Sequence, residues 1–195
     1  MIRDIKPEGY RPRIVDSEVE RKLRALGGVL IEGPKWCGKS WTGRQHAKSA
    51  ANIDNTATRQ VAMMEPVSVL SGDRPRLIDK WQEAPNLWDA ARREIDDSHS
   101  KGMYIFTCSA VPPEHAVAHT GTGRFAKIEM LPMSLYESGD SDGSISLSRL
   151  FDSASFAVRK SHMGYSARYA SYAGEGGRGC CGWMKKKLWR YLKDT

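Results

Sequence analysis

A chain of 195 residues is long enough for one domain with a sizeable core and a short appendage, but not for two full domains. With 27% charged and 40% hydrophobic residues and no apolar run of membrane-spanning length, the composition is that of an ordinary soluble protein and excludes a membrane-spanning one. The net charge of +7 is unevenly placed, because residues 1–150 hold 21 basic and 20 acidic side chains while residues 151–195 hold 9 and 3, so any argument for a nucleic-acid partner rests on the tail.

The opening MIRDIKPEGY carries charges of both signs and no apolar segment with a cleavage site behind it, which points to the cytoplasm. DSEVERKLRALGG then reads as an amphipathic helix, with Asp16 as its capping residue, Val19, Leu23 and Leu26 on one face, and a stop at Gly27-Gly28. VLIEG is a short branched apolar run bounded by glycine, as in a buried parallel strand. GPKWCGKS follows, and the proline-free KSWTGRQHAKSA (39–50) is compatible with a helix. Further on, RLID (76–79) and GMYIFTCSA (102–110) read as buried strands, NLWDAARREIDDS (86–98) as a helix, and GRFAKIEML (123–131) as a fourth strand with Phe125, Ile128 and Leu131 apolar. Strands alternating with helices predict a three-layer α/β fold with a mostly parallel central sheet. The chain reads as one domain over 1–136, a Ser/Gly/Asp-rich linker over 137–150, and a basic, poorly ordered tail over 151–195.

GPKWCGKS has the spacing G-x-x-x-x-G-K-S of a phosphate loop, the Walker A arrangement. A phosphate chain must be met by donors that need little room, and glycines let backbone N–H groups and the positive end of the next helix approach its oxygens. The candidate nucleotide-binding residues are therefore Gly33, Pro34, Lys35, Trp36, Cys37, Gly38, Lys39, Ser40 and Trp41. Gly33 and Gly38 permit the wrap, Lys39 reaches the β- and γ-phosphates, and the Ser40 hydroxyl ligates Mg²⁺. The competing reading is a glycine turn followed by an exposed Lys-Ser pair. No G-x-G-x-x-G lies at this junction and no N-K-x-D follows, which favours ATP over a dinucleotide or a guanine nucleotide. Asp79 ends the RLID run, where a carboxylate can hold a water of the Mg²⁺ shell in the manner of a Walker B strand. Alternatively it caps the next helix.

GPKWCGKS, LIDKWQEAP, IFTCSA and GRFAKIEMLPMSLYESG together resemble the bacterial and archaeal AAA-type ATPase family whose members join an N-terminal ATPase domain to a C-terminal domain of unassigned function. The resemblance covers roughly residues 10–150 and implies a P-loop ATPase in which another strand lies between the phosphate-loop strand and the acidic strand. It implies a sensor hydroxyl at the tip of IFTCSA, Thr107 or Ser109, with Ser109 the catalytic candidate; Cys108 stands where the family usually has glycine. Lys80 stands where the family usually has the glutamate that polarises the attacking water, and an ammonium cannot accept that proton. Slow or absent hydrolysis is the expectation, with Glu83 a turn further on as a substitute base. Arg124 matches the family's arginine in GRF, implying charge stabilisation at the γ-phosphate, within the chain or across a subunit boundary. The catalytic set is thus Lys39, Asp79, Glu83, Ser109 and Arg124, and the metal set Ser40 and Asp79.

Other features carry less. His115 and His119 share a helical face but have no third ligand at motif spacing, so a polar face is the simpler reading. Cys37, inside the loop beside Lys35 and Lys39, would block nucleotide if an oxidant or alkylator modified it, or is simply a small residue that fits. Cys180 and Cys181 are adjacent, far from the other two, and form no disulfide framework. Trp36, Trp41, Trp81 and Trp88 flank the nucleotide motifs, as core residues or as a ring that stacks on adenine. Residues 151–195 depart from the family pattern, so the chain looks like a truncated member, and MKKKLWRYLKDT reads as a solvated terminal helix docked on the domain or as sequence left by an interrupted reading frame, the alternative being a basic amphipathic helix that meets nucleic acid or an anionic membrane. Three readings compete: an ATPase, a non-hydrolysing nucleotide-dependent module that binds protein, another copy or nucleic acid, and a small phosphotransferase.

Overall fold

The computed structural model describes residues 5–108 and 121–143, together with Phe151. The chain divides into two compact units, 1–131 and 132–195. In the first, α1 (Asp16–Ala25) leads into β1 (Gly28–Glu32), α2 (Lys39–His46) and β2 (Ser49–Asn52). Then come α3 (Thr56–Met64), α4 (Pro66–Leu70), β3 (Arg76–Asp79), a single 3₁₀ turn (Trp81–Glu83), α5 (Asn86–Ser98), β4 (Tyr104–Thr107) and β5 (Phe125–Glu129).

Among the described residues, five strands form one sheet in the order β2-β3-β4-β1-β5, and every neighbouring pair is parallel. Side-chain alternation sorts the core into two halves. Val29, Ile31, Leu77, Ile105 and Ile128 face α1 and α2 with Val19 and Leu23. Leu30, Ile78, Tyr104 and Phe106 face the opposite side with Leu70, Leu87, Trp88 and Ile95 from α4 and α5. The result is the three-layer α/β sandwich, with a sheet that is wholly parallel. Trp81 stacks on Trp88 with ring centroids 5.0 Å apart, Trp88 stacks on Phe125 at 4.3 Å, and Phe106 meets Trp88 edge-on at 5.4 Å. These rings anchor the α5 side, so two of the four motif-flanking tryptophans are core residues.

Several boundaries differ from the sequence expectation. The segment 39–50 is not one helix: α2 stops at His46, and Ser49–Asn52 pairs with Arg76–Asp79 as β2. Hydrogen bonding along β3 outweighs a local sequence with no preference for strand. Helices α3 and α4 lie in a stretch where no element is expected from periodicity, although each has a start signal. The Asn55 side chain accepts from the N–H groups of Ala57 and Thr58, and Pro66 opens α4. Asp16 does not cap α1; the cap is Val15, and the Asp16 carboxylate accepts instead from the Arg13 N–H and the Tyr10 hydroxyl. The strands around IFT and FAKIE are shorter than the apolar runs, and Leu131 lies beyond β5 and is exposed.

In the second unit, the Glu137 carboxylate accepts from the N–H and hydroxyl of Ser134, and Tyr136 packs beside Gly143. Residues 144–150 of the linker and 152–195 of the tail, with Cys180, Cys181 and MKKKLWRYLKDT, lie outside the described residues.

Candidate nucleotide site

All five strands run the same way, so their C-terminal ends share one edge of the sheet, and the loop between β1 and α2 sits on it. Register pairing brings Asn52, Asp79, Thr107 and Ile31 side by side there, with Glu32 one residue beyond Ile31. An open parallel sheet offers its ligand crevice at this edge, beside strands whose connections leave in opposite directions.

Backbone crowding explains the glycines of the loop. A Cβ on Gly33 would lie 2.1 Å from the Met130 carbonyl oxygen, and Gly38 adopts φ 101°. Between them Pro34, Lys35 and Trp36 are exposed, whereas Cys37 is buried at 4% exposure. Trp36 has φ 75°, a left-handed conformation in a residue with a bulky side chain, and the Lys35 ammonium lies 5.4 Å from its ring centroid. The burial of Cys37 fits its reading as a small residue that the loop accommodates. Trp41, at the start of α2, is exposed like Trp36.

Lys39 is buried, and its ammonium donates to the carbonyl oxygens of Gly33 at 2.9 Å and Pro34 at 2.7 Å, with the Cys37 sulfur 3.5 Å away. The Ser40 hydroxyl donates to Asp79 Oδ1 at 2.9 Å, and the Thr107 hydroxyl donates to the same oxygen at 2.5 Å. Asp79, 7% exposed, therefore joins the end of the loop at Ser40 to β3 and β4. Two hydroxyls and a carboxylate are hard oxygen donors. Such a sparse set suits Mg²⁺, which keeps several waters and takes further ligands from phosphates. Among the described residues no group of three His, Cys, Asp or Glu side chains could hold a metal by itself.

The other predicted residues are distributed unevenly. Lys80 adopts φ 60°, its N–H donates to the Thr107 carbonyl at 3.0 Å, and its ammonium pairs with the Asp54 carboxylate just beyond β2. That hydrogen bond, and then the charge of Lys80, hold the Asp54 carboxyl below the usual range. Glu83 pairs with Arg59 of α3 at 3.4 Å. Arg124 precedes β5, and its carbonyl accepts from the Gly28 N–H at the start of β1; its guanidinium meets Asp96 at 2.6 Å. With about 3.3 Å per residue along a parallel strand, Arg124 sits at the edge of the sheet opposite the loop, and this chain does not bring the two together. Ser109, His115 and His119 lie outside the described residues. Cys108, 2% exposed after β4, has its thiol pushed up to about 11, first by burial and then by the charge of Glu32.

Thr107, weighed in the sequence as a γ-phosphate sensor, has its hydroxyl on Asp79, and one further residue has no motif to announce it. Arg13, in the segment before α1, reaches the loop from behind, donating to the Cys37 carbonyl at 2.8 Å.

A family model described as an AAA domain matches residues 27–139, more than half of the chain. Similar solved structures include a replication initiator, DnaA, bound to AMPPCP and single-stranded DNA: 16% identity, TM-score 0.41, 63% of this chain and 47% of that chain covered. Another is a DNA replication initiation factor, with 14% identity and TM-score 0.39 over 60% of this chain and 44% of that one. This chain thus spans less than half the length of either. No curated protein matches it. No helix among the described residues is long and apolar enough to cross a membrane. On the family match, joined to a wholly parallel sheet carrying a glycine-rich loop at its C-terminal edge, the chain belongs to the AAA domain family and is a P-loop protein of the AAA type.

Proposed function

We propose that the chain binds ATP·Mg²⁺ through Gly33–Ser40 and Asp79 and turns it over slowly. The observation that carries this reading is the Ser40–Asp79 hydrogen bond, which joins the phosphate loop to the acidic strand across the intervening β4. Lys39 supplies the positive charge for the phosphates, Ser40 a hydroxyl for the cation, and Asp79 an acceptor for a water in its shell. The cation, when bound, neutralises charge on the phosphate oxygens.

Slow turnover follows from what stands beside Asp79. The ammonium of Lys80 accepts no proton, and it is paired with Asp54. Glu83 is engaged with Arg59, which gives the substitute base a competing partner. Arg124 contributes to γ-phosphate chemistry only if a second copy presents it, since in its own chain it lies at the far edge of the sheet. Single-turnover hydrolysis measured beside equilibrium Mg-ATP binding tests the reading. Binding with product formed only over hours supports it, and rapid turnover by the parent chain rejects the slow-hydrolysis part.

The Lys80–Asp54 pair also favours a second reading, in which nucleotide occupancy without turnover stabilises a surface for a protein or nucleic-acid partner. ATP-dependent retention of a partner at constant nucleotide content would select it. The domain limits proposed remain 1–136 for the nucleotide domain, 137–150 for the linker and 151–195 for the tail.

A further inference from the structure

Arg13 lies outside every motif, yet it is one of the few charged side chains that the fold buries, at 8% exposure. Its Nη1 donates to the Cys37 carbonyl at 2.8 Å and its Nη2 to the Leu131 carbonyl at 2.9 Å. One guanidinium thereby spans the loop between β1 and α2 and the residue beyond β5. The fit is close, since a Cβ on Gly38 would come within 3.0 Å of Nη1. The segment that carries Arg13 is itself pinned. Its N–H donates to Asp16 Oδ2 at 2.7 Å, and Asp16 Oδ1 takes the Tyr10 hydroxyl at 2.6 Å and faces His46 Nε2 at 3.0 Å. The Tyr10 oxygen in turn lies 3.1 Å from the Thr42 hydroxyl of α2.

In a trans peptide the carbonyl and the N–H of the next residue point in opposite directions. Holding the Cys37 carbonyl toward Arg13 therefore turns the Gly38 N–H away from the guanidinium. We infer that Arg13 is a positioning residue for phosphate binding, which fixes the Cys37–Gly38 peptide so that its N–H is presented to the nucleotide. This rests on the nucleotide-binding reading above. A lysine in its place keeps the charge, but its compact ammonium lacks the rigid fork that matches two separate carbonyls.

The test titrates Mg-ATP into the full-length parent, R13K and R13A chains and follows amide hydrogen exchange of residues 33–40 in the nucleotide-free proteins. R13K is expected to fold normally, bind Mg-ATP about tenfold or more weakly, as for one lost hydrogen bond to a charged group, and exchange the loop amides faster. Millimolar guanidinium ion, far below its denaturing range, is expected to restore affinity and slow loop exchange in R13A without raising its melting temperature, a combination that a purely structural role would not produce. A binding parent beside an R13K chain of parental affinity and loop exchange overturns this inference alone. A parent that takes up no Mg-ATP overturns the nucleotide reading and this inference with it. R13K decides the matter even where R13A fails to fold.

Discussion

Lys80 stands next to the acidic strand's carboxylate with the wrong charge for a base, and the fold finds it a partner in Asp54. Lys80→Glu places a second carboxylate beside Asp79 at the cost of an exposed ion pair of little worth to stability. Single-turnover hydrolysis is expected to rise about tenfold or more, with little change in melting temperature. A nucleotide-bound variant no faster than the parent contradicts the role assigned to Lys80. Trp36 holds a left-handed backbone at the exposed crown of the loop. Trp36→Gly relieves a conformational cost of roughly 1–2 kcal/mol, partly offset by the greater freedom of glycine when unfolded. Denaturant melts are expected to show equal or slightly higher stability. Cys108 gives a pH dependence: its folded value, about 11, is raised from the ordinary 9.0. The thiol form is favoured in the fold, so its contribution is complete below the unfolded value and is lost as pH rises through the folded one. Between pH 9 and 11 the parent is therefore expected to lose thermal stability more steeply than Cys108→Ala.

At the scale of elements, legibility follows burial. VLIE, RLID and YIFT are covered on both faces, so each appears in the sequence as a short apolar run, and the expectation located all three. SAAN forms β2 at the edge of the sheet, with small and polar residues of which only Ala51 is buried. Its strand character comes from pairing with β3, a long-range partner that local periodicity cannot disclose. The start of α3 was written in Asn55, and the start of α4 in Pro66, but short helices of five to nine residues leave little periodic signal. The phosphate loop was legible because its glycines are required by the backbone itself, as the Met130 carbonyl behind Gly33 shows. Arg13 was not, because its contacts to Cys37 and Leu131 join parts of the chain far apart in sequence. On the other face of the sheet, Phe106 fills the space between Trp81, Trp88 and Phe125. Phe106→Ala is expected to cost about 3–5 kcal/mol in urea or guanidinium unfolding. A loss below about 1 kcal/mol would mean that this ring cluster does not anchor α5.

For the whole molecule, membership of the AAA domain family and the parallel sheet order fit the nucleotide site proposed above, but the task to which binding would be coupled is not inscribed in a P-loop domain. The residues that would distinguish a hydrolytic machine from a nucleotide-gated module are few and stand near one edge of the sheet: Asp79 with its two hydroxyls, Lys80 with Asp54, and Glu83 with Arg59. Arg124, paired with Asp96 at the opposite edge, belongs to that set only in an assembly of copies. The most direct test of the account is calorimetric titration of the full chain with Mg-ATP beside a Lys39→Ala chain of unchanged circular dichroism. Saturable binding by the parent, weakened about a hundredfold when the ammonium is removed, is the predicted result; no binding by the parent, or equal uptake by Lys39→Ala, would contradict it.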